Sequence, residues 1–176
     1  MYDERTLIRE CLAGNRQAER QLYESYSARF LGICQRYANS REEAEDMLVS
    51  GFMHIFSHLS EYKGKGSFEG WMKRLIISQA IDEVRKRKPQ AASLSEAQAM
   101  ADNESIPNPI ARLEARDILN ALRQLPETQR VIFSLSVIDG YAHREIARMF
   151  SMKEGAVRVN LHKAKKKLQT LLKAYE

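Results

Sequence analysis

Cysteine, tryptophan and long apolar runs are scarce in this 176-residue chain. Cys11 and Cys34 are the only cysteines, far apart and outside any C-x-x-C or metal-ligand spacing. They therefore read as buried packing residues in a reduced interior, not as a disulfide framework or a zinc site. No apolar stretch approaches the length of a membrane span or a secretory h-region, and the amino terminus MYDERTLIRE is charged from its third residue. The expectation is a cytoplasmic protein without membrane insertion. No segment sustains the period-two alternation of β-branched residues that a sheet needs, so the chain reads as all-α. His54 and His58 stand i, i+4 on an expected helix, but no third ligand and no H-E-x-x-H pattern accompany them, so no metal and no cofactor are expected.

Enough apolar material is present, 44% of residues, for one ordinary core or two small ones. The net charge of +5 leans towards an anionic partner, although placement decides more than total. The clearest helical pattern is REEAEDMLVSGFMHIFSHLSEY, where Ala44, Met47, Leu48, Gly51, Phe52, Ile55, Phe56 and Leu59 recur at three and four. Ser40 and Glu43 form a capping box at its start. After RKRKP the composition changes. Residues 89–110 hold three acids, no lysine or arginine and three of the four prolines, which reads as a flexible acidic linker. Helical periodicity returns from about Arg112, with Pro126 suited to the first turn of a helix. Two small helical domains are expected, residues 1–88 and 111–176, joined by the linker 89–110.

The strongest motif is YAHREIARMFSMKEGAVRVNLHKAKKK. A helix-turn-helix needs a small residue where its helices touch and apolar residues that lock the second onto the first. Ala147 supplies the contact; Ile146, Phe150, Met152, Val157 and Leu161 supply the lock, and Ala164, Leu168 and Leu171 extend the inner face. Glu154, Arg158, His162 and Lys165 form an outward stripe that fits a major groove. Residues 153–176 carry seven lysines and arginines against two glutamates, a density that favours phosphate contact. An ordinary αα-hairpin with a basic tail is the alternative. Ser151 occupies the turn position where glycine usually supplies a positive φ, so a strained or altered turn is expected.

A second basic cluster surrounds KGKGSFEGWMKRL. Phe68, Trp71, Met72, Leu75 and Ala80 fall near one side of a helix, which makes Trp71 a partly buried strut, with its indole edge still able to meet a ligand. The run RKRK can equally be a solvated helix end stabilised by the helix dipole. On the helix of residues 41–59, Asp46, Val49, Ser50 and Met53 face away from the apolar stripe. Val49 and Met53 make an outward apolar pair that is either a docking patch or scattered surface residues.

Together, EEAEDMLVSGFMHIF, SFEGWMKRLIISQAIDEVRKRK and LPETQRVIFSLSVIDGYAHREIARMFSMKEGAVRVNLHKAKKKL resemble regions 2.2, 2.3 to 2.4 and 4 of the bacterial extracytoplasmic-function sigma factors, in that family's order and spacing. The resemblance implies a sigma factor that binds core RNA polymerase and directs promoter recognition and transcription initiation for a stress- or envelope-responsive set of genes. It implies promoter DNA as a partner, an anti-sigma factor as a further one, and no catalytic residues or small-molecule substrate. For minus-10 DNA it implies Tyr62, Lys63, Lys65 and Ser67, in a loop that captures a flipped base, with Trp71, Lys73, Arg74, Arg85 and Lys86. For minus-35 DNA it implies Lys153, Glu154, Arg158, Asn160, His162 and Lys163. Polymerase contact falls to Asp46, Val49 and Met53, although the family's polar pair is replaced by Val49 and Ser50. Two rivals stay open: a stand-alone helix-turn-helix regulator, which would need a dimerisation or sensor surface, and a nucleic-acid-processing enzyme, for which Asp82 and Glu83 are the only adjacent acidic pair near the expected strand groove.

Overall fold

The computed structural model describes residues 3–87 and 115–173, and no strand occurs among them. The expected linker, 89–110, lies outside the described residues, as does the expected helical restart near Arg112. The chain divides into two compact units, Met1–Val84 and Arg85–Glu176.

The first unit opens with α1 (Glu4–Leu12), α2 (Arg16–Tyr37) and α3 (Arg41–His58). Each begins on a short polar residue whose side chain accepts from the backbone. Asp3 takes the N–H of Thr6, Asn15 those of Gln17 and Ala18, and Ser40 that of Glu43. Such a cap stabilises a helix by about 1 kcal/mol. The carboxylate of Glu43 reaches back to the N–H of Asn39 at 2.6 Å, so the reciprocal half of the capping box closes one residue earlier than its sequence form prescribes.

The α3 stripe is buried as its periodicity requires, with Phe56 half-buried at the margin. Phe52 lies 4.7 Å from Tyr23 and 5.9 Å from Phe30, ring centre to ring centre, which pins α3 to α2 through aromatic contacts. A short 3-10 turn (Leu59–Glu61) leads to a loop and α4 (Phe68–Arg87), which buries Phe68, Met72, Ile76, Ile77, Ala80, Ile81 and Val84. Gly51 belongs to the buried stripe because any side chain there would run into the Ile76 side chain of α4. Exposed ends are also tied: Arg29 of α2 pairs with Glu69 of α4 at 2.6 Å.

The second unit contains α5 (Ala115–Arg123), α6 (Glu127–Phe133), a wide π turn (Ser134–Ile138), α7 (His143–Met149) and α8 (Glu154–Leu172). Pro126 sits one position before α6, extended, with its carbonyl accepting from Arg130 N–H at 3.0 Å. A residue without an N–H is tolerated there because that group would have no partner. Helix α8 is the spine against which α5, α6 and α7 pack. Its inner face is Val157, Leu161, Ala164, Leu168 and Leu172. Leu172, not Leu171, completes that face: stepping four from Leu168 keeps the side chain under the unit, and Leu171 is half-exposed.

Candidate nucleic-acid interface

Three surfaces carry the residues singled out from the sequence. On the second unit, α7 and α8 form the helix-turn-helix, with Ala147 buried between them. Val157 and Leu161 lock α8 from below, while Phe150 and Met152 contribute half-buried edges. The turn closes through Met152 N–H to the Ala147 carbonyl at 2.9 Å and Ser151 N–H to the Arg148 carbonyl at 3.3 Å. Ser151 has φ 51°, so the left-handed conformation expected for this turn is present and is carried by a side chain that disfavours it. No side chain caps the start of α8, leaving its first N–H groups directed out of the helix end.

Along α8, Lys153, Glu154, Arg158 and Lys163 are exposed, and Lys166 and Lys167, not singled out from the sequence, join them. His162 and Lys165 are half-buried, so the outward stripe drifts from the i, i+4 line towards Lys163 and Lys166. The Asn160 amide donates to the Ala156 carbonyl of its own helix at 2.9 Å. Arg158 donates to Glu154 at 2.7 Å across one turn. That hydrogen bond is the first reason the Glu154 carboxyl is held below its usual range; the positive charges of Arg158, His143 and Arg144 add to it. The acid therefore stays ionised among bases and orients Arg158.

On the first unit, Lys63, Lys65 and Ser67 are exposed in the loop between the 3-10 turn and α4. Gly64 and Gly66 take φ 70° and 81°, the backbone reversal that lets five residues turn tightly. The Tyr62 hydroxyl donates to the Gly66 carbonyl at 2.8 Å. Its ring lies 5.0 Å from Phe68 and 5.4 Å from Trp71, and Phe68 and Trp71 stack at 5.8 Å with 13° between planes. Trp71 is thus half-buried in an aromatic trio beneath the loop. Ser67 accepts from Gly70 N–H at 3.1 Å and starts α4, a structural duty its place in the sequence motif did not reveal. Arg74 is exposed on α4 and Lys73 half-buried; Arg85 and Lys86, exposed at the end of the same helix, fall past the unit's boundary at Val84.

A third surface is apolar. Val49 is 51% and Met53 68% exposed, one turn apart on α3, with Asp46 exposed beside them. The sequence reading missed the wall opposite. Tyr23, Ser27, Ala28 and Leu31 of α2 face Glu45, Leu48 and Val49 across an open groove of about 390 Å³. A partly apolar outer face on α2 could have been found from Tyr23 and Leu31, eight residues apart, but only the structure places them beside Val49.

Among the described residues no group of three His, Cys, Asp or Glu side chains is placed to hold a metal. His54 and His58 instead contact each other, ring centres 4.1 Å apart, with His58 Nδ1 2.9 Å from the His54 carbonyl. Both cysteines are buried and free. Burial pushes the Cys11 thiol up to about 11 and the Cys34 thiol up to about 12. Glu83 accepts from Gln79, and no helix among the described residues is long and apolar enough to cross a membrane.

The chain matches two family models, Sigma-70 region 2 over residues 22–90 and Sigma-70, region 4 over residues 115–168. It is 29% identical over 158 residues to the ECF RNA polymerase sigma factor SigE of Mycolicibacterium smegmatis, covering 86% of this chain and 60% of that one. It is 23% identical over 177 residues to the ECF RNA polymerase sigma factor SigW of Bacillus subtilis, covering 94% and 95%. The fold resembles that of the sigma factor RpoE of Bartonella quintana, solved in complex with the anti-sigma factor NepR. The TM-score is 0.52 at 18% identity over 88% of this chain and 96% of that one. With both regions present in order on an all-α chain, the polypeptide belongs to the sigma-70 family, in its extracytoplasmic-function group.

Proposed function

We propose that this chain binds core RNA polymerase in the cytoplasm and directs it to promoters, acting as a specificity subunit with no catalysis of its own. The observation that carries the reading is the presence, in one chain, of matches to regions 2 and 4, each with an exposed basic surface of distinct shape. Helix α8 reads minus-35 duplex through Lys153, Arg158 and Lys163, with Glu154 orienting Arg158. The 63–67 loop and the basic residues of α4 receive the displaced strand of the minus-10 element. Opening a duplex without an energy source requires substitutes for lost stacking, and a cationic surface with pocketed base contacts supplies them at about 1–3 kcal/mol per base.

Val49 and Met53, with the adjoining α2–α3 groove, serve as the polymerase dock. Holding both DNA readers on the polymerase raises their effective concentration, so the free chain binds promoter duplex weakly. An anti-sigma factor is the further partner proposed for this chain. The test is run-off transcription with core polymerase and a genomic DNA library, with and without the chain. New start sites are expected, and a start-site map unchanged by its addition rejects the proposal.

A further inference from the structure

Tyr62 occupies an unusual position for a residue assigned to DNA. Its ring is half-buried against Phe68 and Trp71, while its hydroxyl leaves the aromatic trio and bonds the Gly66 carbonyl on the far side of the loop. The segment it closes contains two glycines in left-handed conformation, each with open space where a side chain would stand. Among the described residues, no acceptor meets the N–H groups of Gly64, Lys65 and Gly66. A loop of that composition samples many shapes when loose, and ordering it at the moment of binding would subtract from affinity. The hydroxyl bond spans the loop from a ring that the trio already immobilises, so it sets the loop's shape before DNA arrives.

We infer that Tyr62 is a positioning residue for strand separation: its hydroxyl holds the 63–67 loop in the shape that receives a flipped base, and its ring does not itself stack on that base. This rests on the reading of the loop given under Proposed function. The consequence is that one oxygen atom on Tyr62 influences base preference at a position the residue does not touch.

The experiment uses Tyr62→Phe, which keeps both ring contacts and removes only the hydroxyl, in full-length protein assembled with core polymerase. Promoter duplexes carry 2-aminopurine at each non-template position of the minus-10 element in turn, and open-complex formation is also ranked on promoters differing at single bases. The Phe variant should show a fluorescence rise reduced on the order of fivefold at one position, the scale of one lost hydrogen bond. Its preference between bases at that position should flatten similarly, with minus-35 duplex binding unchanged. The preference is a ratio measured on one preparation, so partial misfolding does not alter it.

A Phe variant that flips and ranks bases like the parent, while a chain with Lys63–Ser67 replaced does not, overturns the inference and leaves the loop as receptor. If the replaced loop also ranks promoters like the parent, the reading of the loop and the inference fall together.

Discussion

The two units differ in how consistently local sequence and fold agree. In the first, every described helix that starts from a tight turn is capped by its own side chain, and its left-handed positions are glycine. In the second, among the described residues, α8 starts without a side-chain cap, Ser151 takes a positive φ, and the Ser134 hydroxyl is fully buried in the π turn without a hydrogen-bond partner. Proteins concentrate such disagreements where function demands them, and two of these three lie at the mouth of the proposed DNA-reading helix. The first unit has its own exception, which is chemical: an exposed Val49 and Met53 where solvent would favour polar groups. Each unit departs from local rules on the surface proposed to meet a partner.

The comparison can be tested from its most robust side first. Phe30 is 1% exposed and touches the rings of Tyr26 and Phe52, so Phe30→Ala should cost about 3–5 kcal/mol in urea denaturation. A loss below about 1 kcal/mol would show that the aromatic cluster is not what holds α2 to α3. Next comes the apolar exception. Val49→Asp with Met53→Asp should weaken association with core polymerase tenfold or more in a pull-down titration while leaving the melting temperature within about two degrees. Equal co-purification would return the pair to ordinary surface.

On the reading helix, replacing Arg158 and Lys163 by alanine should weaken upstream duplex binding by about 1–3 kcal/mol for the base contact. The same change should flatten the salt dependence of binding. An unchanged salt slope would remove α8 from the phosphate contact. The smallest effects address the backbone directly. Ser151→Gly should stabilise the second unit by about 1 kcal/mol, whereas Gly66→Ala should destabilise the loop by about 1–2 kcal/mol, because a Cβ is disfavoured at positive φ in both places. Opposite signs in thermal denaturation are expected; equal signs would mean that local strain does not distinguish the two turns.

Much of the fold was legible in residues 41–59 and 143–172, where apolar spacing at three and four left one consistent face and short polar residues or a tight turn marked the ends. Ser151 announced its own strain, since a non-glycine at that turn position has few alternatives. The site was less legible. The resemblance assigned Tyr62, Ser67 and Trp71 to DNA, and the pattern gave no sign that Ser67 also starts α4 or that the Tyr62 ring joins an aromatic trio. His162 and Lys165 look outward on a helical wheel but are half-buried. A wheel places residues by angle and carries no information about how close the neighbouring helix comes.

The amino-acid order by itself determined the helical class, the buried stripe of α3, the small contact at Ala147 and the basic density of α8, because each follows from periodicity, size or charge within one segment. Tertiary structure alone decided that Tyr23 and Leu31 share a groove with Val49, that Gly51 makes room for Ile76, and that the Tyr62 hydroxyl reaches the Gly66 carbonyl. Those facts depend on distances between segments, which local pattern cannot encode and which are settled only when the helices pack.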